Sequence, residues 1–365
     1  MKVGSLNFLC ILFVLLGCAK SKKNEVPKAR KVDAAYTLRT PKSEEKQRLS
    51  DYAFFKGRLA DLTPTANVYP YAINAPLFSN YAEKARFIYL PEQVAMNFVP
   101  EGVFDFDEGA ILIKNFFYSN KRSSGENDRK IIETRLLIKE KELWKPLNYL
   151  WNENQTEAYL DYVGKTIPVV WQDPQGKEKK VNYVVPNNNQ CKNCHNANNK
   201  ITPIGITAAQ LNQRYFASND SINQLEYFKT KTLLKHFTKA SDHLPMPSWN
   251  DALTATLDQR AKAYLDANCA HCHSAVGSAK NSGLYLNYHQ NDSRKRGVLK
   301  PPIAAGKGSG DFQYDIVPGK PEESIFIYRM KSNDPAIRMP EIGRSVVHEE
   351  GVALLTAYIE SLAGQ

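Results

Sequence analysis

Five short runs between residues 85 and 185 are rich in β-branched and aromatic residues. They read "ARFIYL" (85–90), "AILIKNFFY" (110–118), "IIETRLLI" (131–138), "LNYLW" (147–151) and "KVNYVV" (180–185), with Gly, Asn and Pro between them. Such runs predict strands, and together they predict an antiparallel sheet or sandwich over residues 50–195. From residue 196 the period changes. "TAAQLNQRYF" (207–216) and "INQLEYFKTKTLLKHF" (222–237) carry helical spacing, so 196–250 is expected to be a helical connector closing on the Pro-rich "SDHLPMPSW". Residues 251–365 form a further unit. "DQRAKAYLDANCAHCH" (258–273) puts Ala261, Tyr264 and Leu265 on one helix face, and "HEEGVALLTAYIESLA" (348–363) repeats Val352, Leu355, Tyr358 and Ile359 at three- and four-residue steps. His348 reads as the start of that last helix, where the charges of Glu349 and Glu350 suit an N-terminus. The expected fold class is therefore α+β: an N-terminal β-rich domain followed by a mainly α-helical one.

The chemistry is concentrated in one pattern written twice, "CKNCH" at 191–195 and "CAHCH" at 269–273. With six Cys and seven His in 365 residues, chance supplies C-x-x-C-H about 0.002 times per chain, and the pattern is the usual mark of c-type haem attachment. Two thiols one helical turn apart can add to the two vinyl groups of a haem, and the adjacent His can supply the proximal nitrogen to iron. The expectation is two covalently attached haem c groups, held by Cys191, Cys194, Cys269 and Cys272, with His195 and His273 as iron ligands. A zinc ribbon is the bland rival. It wants its Cys pairs about 15–20 residues apart, whereas 75 separate Cys194 from Cys269.

The N-terminus points to the same compartment. Met1-Lys2 precedes an apolar run from Leu6 to Leu16, and then "LLGC" at 15–18, the pattern of an export signal in a run too short to span a bilayer. "LLGC" resembles the lipobox of bacterial lipoproteins. That resemblance implies a signal peptide of residues 1–17, a lipid anchor on Cys18, and a periplasmic protein tied to a membrane, with Ala19 leaning towards the outer one. Residues 18–49 are charged and lack an apolar period, which reads as a flexible tether. Hydrophobic content of 42% can fill one or two cores, and the formal charge of +10 comes from scattered basic residues, so nucleic acid is not an indicated partner. The expected partners are redox proteins (another cytochrome, a dehydrogenase or a terminal reductase) and a membrane. A β-rich half that docks a partner enzyme is a further reading.

The second axial ligand separates a carrier from an enzyme, because an open iron can bind or activate small molecules. For the second haem the candidate is Met339 in "AIRMPEIG", with Met330 as a rival that reads as packing. For the first haem Met246 in "LPMPSW" comes first, and His236 and His243 are near enough in sequence to be alternatives. His271, inside the second motif, reads as a solvent or propionate neighbour. His289 and His348 have no metal-binding companions nearby in sequence.

Helix, C-x-x-C-H, Met-Pro and closing helix over 251–365 resemble class I cytochrome c. Across residues 75–362, "LFSNYAEKARFIYLP", "IETRLLI", "CKNCH", "RAKAYLDANCAHCH", "SGLYL", "DIVPGKPEESIFIYRM" and "RMPEIGRSVVHEEGVALL" resemble a family of bacterial di-haem c-type cytochrome lipoproteins. That resemblance implies two haems and export, and it names no substrate. The β-rich half with "DEGAILIKNFFY", ending in C-x-x-C-H, also resembles cytochrome c prime beta and its lysine-crosslinked relatives. This second resemblance implies a five-coordinate first haem, able to bind nitric oxide or do oxidative chemistry, with Lys114 on the strand near it. Read from the residues alone, Lys114 is a solvated strand position. The expected function is electron transfer in the periplasm, and the alternative is a haem enzyme or gas binder with one open site.

Overall fold

The computed structural model describes residues 1, 45–121, 127–173, 175–217, 219, 221–303 and 306–364. The expected signal peptide, Cys18 and the tether up to residue 44 lie outside the described residues apart from Met1. All five expected strands form. Four of them, with two edge strands, make a six-stranded antiparallel sheet in the order Ala158–Asp161, Leu143–Trp151, Asn127–Glu140, Ile111–Lys121, Glu83–Tyr89, Val68–Tyr71. The fifth, Glu178–Val185, pairs with Lys165–Gln172 in a separate hairpin.

Alternation along Ile111–Lys121 divides the sheet into two faces. Ile111 and Ile113 enter one core with Leu49, Phe87, Ile131, Leu136 and Tyr149. On the same face the buried Thr134 hydroxyl donates to Asn115 Oδ1 at 2.6 Å and accepts from Trp151 Nε1 at 2.9 Å. On the other face Leu112 enters a second core, while Phe116 and Tyr118 meet Val169, Val181 and Tyr183 of the hairpin. Between these two clusters, at position 114, this face carries a lysine instead of an apolar residue. Burial of each large apolar side chain contributes about 1.5–3 kcal/mol, so both faces of the sheet are spoken for except at that gap.

The folded body starts before residue 50. Leu49 is buried, Glu45 pairs with Lys145 at 2.7 Å, and the Leu160 N–H donates to Gln47 O at 3.0 Å. The expected connector is less helical than its spacing suggests: among its described residues Ala208–Leu211 and Gln224–Thr230 form short α-helices and Ala240–Asp242 a single 3-10 turn. Leu234–Lys235 instead pairs in parallel with Met96–Asn97, and Leu225, Phe228, Leu233 and Phe237 all enter the core that Leu112 enters. The three- and four-residue apolar spacing thus serves a turn, with Thr232 and His236 at positive φ. This segment is packed on the sheet rather than strung between two bodies, and residues 43–365 form one compact unit.

Both predicted helices of the last part form. Leu257–Leu265 begins at a capping box of Thr256 and Gln259, and Glu349–Ser361 begins at His348 with two acidic residues in its first turn. They share a core that includes Ala261, Tyr264, Val352, Leu355, Tyr358 and Ile359, and Ile325–Lys331 forms a third helix beside them. Gly351 makes the approach possible. A Cβ built there would lie 2.1 Å from the Tyr264 hydroxyl and 2.4 Å from its ring carbon. Tyr264 cannot swing aside, because it is 3% exposed and its hydroxyl lies 2.9 Å from His348 Nδ1. Gly351→Ala is expected to destabilise by about 1–3 kcal/mol through overpacking, outweighing the gain in helix propensity of up to ~1 kcal/mol. A urea midpoint equal to or above the parent's would refute this.

Candidate functional site

The strand Glu178–Val185 runs directly into the first C-x-x-C-H segment. Asn187 caps the helix Asn188–Cys194 in a reciprocal box with Gln190, which sets Cys191 and Cys194 one turn apart on it. His195 closes the helix, its N–H donating to Cys191 O at 3.0 Å. Its ring Nδ1 lies 2.9 Å from the carbonyl oxygen of Thr202. A carbonyl can only accept, so Nδ1 carries the proton and Nε2 is left as a bare lone pair.

The second segment follows the helix Leu257–Leu265 through a π-helical turn, Asp266–Ala270, and His273 N–H donates to Cys269 O at 2.8 Å. Its Nδ1 lies 3.0 Å from Ser282 Oγ, whose own hydrogen goes to Ala279 O at 2.7 Å. The serine oxygen must therefore accept, and His273 too is protonated on Nδ1 with Nε2 bare. Tying one ring nitrogen to an acceptor is how proteins orient a metal-binding imidazole. Burial pushes the pKa of both rings down to about 4, with the Thr202 carbonyl partly opposing it at His195 and the Cys272 thiol at His273. Both are neutral at pH 7.

Each segment faces a cavity. The first, of about 210 Å³, is lined by Cys191, Cys194 and His195 together with Lys114 and Arg135. The second, of about 430 Å³, is lined by Cys269, Cys272 and His273 together with Lys300 and Arg329. They share a wall that includes Cys194, His271, Met330 and Met339. The two segments, 75 residues apart in sequence, are neighbours in space. Asn198 N–H donates to Val276 O at 2.9 Å and the Cys272 thiol donates to Asn193 O at 3.9 Å, and the neighbouring Cys194 and Cys272 thiols act on each other, which pushes the first one's pKa up and the second's down. Burial raises the Cys191 thiol and raises Cys269 to about 12. The four cysteines are free thiols. Among the described residues no group of three or more His, Cys, Asp or Glu stands close enough to hold a metal ion, so the two Cys pairs do not converge as a zinc ribbon requires.

The expected axial residues separate. Met339 lies in the shared wall, as does Met330, which is also buried in the helical core. Met246 lines neither cavity. It is buried with Ala75, Ala263 and Ala267, and its sulfur accepts from Gln210 Nε2 at 3.1 Å. His236 is exposed, and His243 packs against Phe98 with the rings tilted and 4.7 Å apart; neither lines either of these two cavities. His271 is half-buried. Its Nδ1 is buried without a hydrogen-bond partner, and the residue lines both cavities.

Lys114 is not a solvated strand residue either. It lines the first cavity beside Arg135, and burial drives its pKa well below the ordinary lysine value, helped by Arg86, Lys84 and Arg135. Sequence reading missed this group of cations. The signal was present as one basic residue inside each of three apolar runs, "ARFIYL", "ILIKNFFY" and "IETRLLI".

The donor set fits haem c at both places: two thiols and a neutral, oriented imidazole on one wall, apolar lining, and cations nearby for the acidic edge. No protein-family model, curated protein or solved structure matches the chain. No helix among the described residues is long and apolar enough to cross a membrane.

Proposed function

We propose that the chain is a di-haem c-type cytochrome that transfers electrons in the periplasm as a lipid-anchored protein, its C-terminal part of class I type. The observation that carries the reading is the pair of C-x-x-C-H segments set side by side, each with a neutral imidazole whose Nδ1 is tied back and whose Nε2 is bare. Bound haem would supply a one-electron iron centre at each cavity. Cys191 and Cys194 would hold one porphyrin and Cys269 and Cys272 the other by thioether bonds, with His195 and His273 as proximal ligands. Met339, in the wall shared by both cavities, would help hold an iron and raise its potential. The shared wall favours exchange of electrons within the pair, and redox proteins would deliver and collect them at the surface. Cys18 would carry the lipid.

A haem stain of the denatured chain and a pyridine haemochrome assay test this directly. Two haems per chain are expected, falling to one in Cys191→Ala/Cys194→Ala and to one in Cys269→Ala/Cys272→Ala. A stain-negative chain sinks the reading. The position of Met246 favours keeping a second one: with Met246 packed away from the first cavity, one iron can remain open, as in a peroxidase or nitric oxide binder. A paramagnetic resonance spectrum of the oxidised protein with one high-spin haem supports that reading, and two low-spin haems support the carrier.

A further inference from the structure

We propose that Arg86, Lys114 and Arg135 form a carboxylate-binding site beside the first C-x-x-C-H segment. The three residues stand on adjacent strands in direct register, Arg86 opposite Lys114 and Lys114 opposite Arg135. Directly opposed residues on antiparallel strands have Cβ atoms about 4.5–5.5 Å apart, and like charges there are destabilising. Lys84 adds a fourth cation two positions from Arg86 on the same face, its ammonium donating to Leu77 O at 3.0 Å. Among the described residues one buried carboxylate answers them. Glu133 accepts from Arg135 Nε at 3.0 Å and again from its Nη2, and accepts from the Tyr183 hydroxyl at 2.6 Å. Glu83, which alternates to the other face, is exposed.

The remaining positive charge has no such answer. Lys114 Nζ rests over the Phe116 ring at 5.1 Å, and Arg86 Nη2 is buried without a hydrogen-bond partner. Lys114 and Arg135 face the first cavity directly. The three side chains are half-buried, and taking charges even partly out of water is costly unless they are paired, so a row of cations with one carboxylate is a site awaiting an anion. A carboxylate suits it, because its two oxygens can take one bond from a guanidinium and another from an ammonium. Two sources share this chemistry: a haem propionate, which rests on the function proposed above, and a small free carboxylate that enters the cavity.

The test is a calorimetric and optical titration of the purified holoprotein with sodium formate, together with a potentiometric titration of its haems, on the parent, Lys114→Met and Arg86→Met. Each variant removes a like charge and keeps an unbranched stem, and either one suffices should the other fail to fold. Saturable formate binding that weakens at least about tenfold in a variant assigns the site to a free carboxylate. No formate binding, with the midpoint potential of one haem lowered and newly falling as pH rises, assigns it to a propionate. Such a propionate, stripped of its cation, stabilises ferric iron and protonates in the working range. Unchanged potentials and no formate binding overturn the proposal. A chain that carries no haem defeats the di-haem reading alone. Formate titration of that same protein then decides the site, binding supporting it and its absence overturning it.

Discussion

Glu133→Gln is expected to be among the most destabilising single substitutions in the chain, costing about 3–5 kcal/mol, the range for breaking a buried ion pair from one side. Glu133 is fully buried, and three bonds end on its carboxylate, two from Arg135 and one from the Tyr183 hydroxyl. An amide keeps the shape but turns one of its two acceptors into an NH2, which then faces the guanidinium. More important, the change removes the one carboxylate among the described residues that is bonded to the row of Arg86, Lys114 and Arg135. The parent arrangement already strengthens the guanidinium charge: burial opposes it, but Glu133 and then Tyr183 raise the Arg135 pKa above the ordinary arginine value. Urea unfolding at pH 7 measures the effect, and a loss below about 1 kcal/mol would show that the charge row is solvated after all. Lys114→Met should recover part of the loss in the Glu133→Gln background while doing little alone. A double-mutant cycle reads that coupling, expected at about 0.5–3 kcal/mol for residues in one network.

The parts of the fold that the sequence predicts well are those where local pattern and tertiary environment agree. The two longest strands, Ile111–Lys121 and Asn127–Glu140, whose runs "AILIKNFFY" and "IIETRLLI" stand out in the sequence, are the central pair of the main sheet. Three of the strands not anticipated are edges or open pairs. Val68–Tyr71 and Ala158–Asp161 are the two outer strands of that sheet, and Lys165–Gln172 carries Pro168 and pairs on one side only; short, interrupted strands are usual where a sheet ends. Residues 222–237 mislead because apolar residues three and four apart can also line a turn against a core. Local chemistry was similarly legible. The C-x-x-C-H segments and the helices beside them follow from spacing, but their adjacency does not, since it depends on how the 196–250 segment folds back onto the sheet. Met246 shows the limit: its Met-Pro context matches that of Met339 in sequence, yet one sits in a core cluster and the other in the wall shared by the two cavities. The cation row is invisible strand by strand and exists only through register.

Acidification should loosen the junction between the sheet and the helices through His348. This ring is 7% exposed, stacks on Phe78 at 4.0 Å, and meets Tyr264, Trp249 and Tyr81 on its other sides. Burial lowers its pKa from 6.5 to about 4, with Lys84 and Arg344 acting in the same direction and Glu350, 3.6 Å from Nε2, opposing them. Because the folded value lies below the unfolded one, the unfolded chain binds the extra proton between pH 6.5 and 4. The neutral ring therefore adds stability that is fully present above pH 6.5 and is lost as pH falls to about 4. A shift of this size corresponds to roughly 3 kcal/mol. His195 and His273 are displaced in the same direction, so the informative quantity is the difference between parent and His348→Gln. That variant cannot take up the proton, and its amide can still bond the Tyr264 hydroxyl. Its stability should trail the parent's above pH 6.5, and the gap should close as pH falls to 4. Parallel stability curves for the two proteins across that window would mean that water reaches the ring and that the junction does not sense pH.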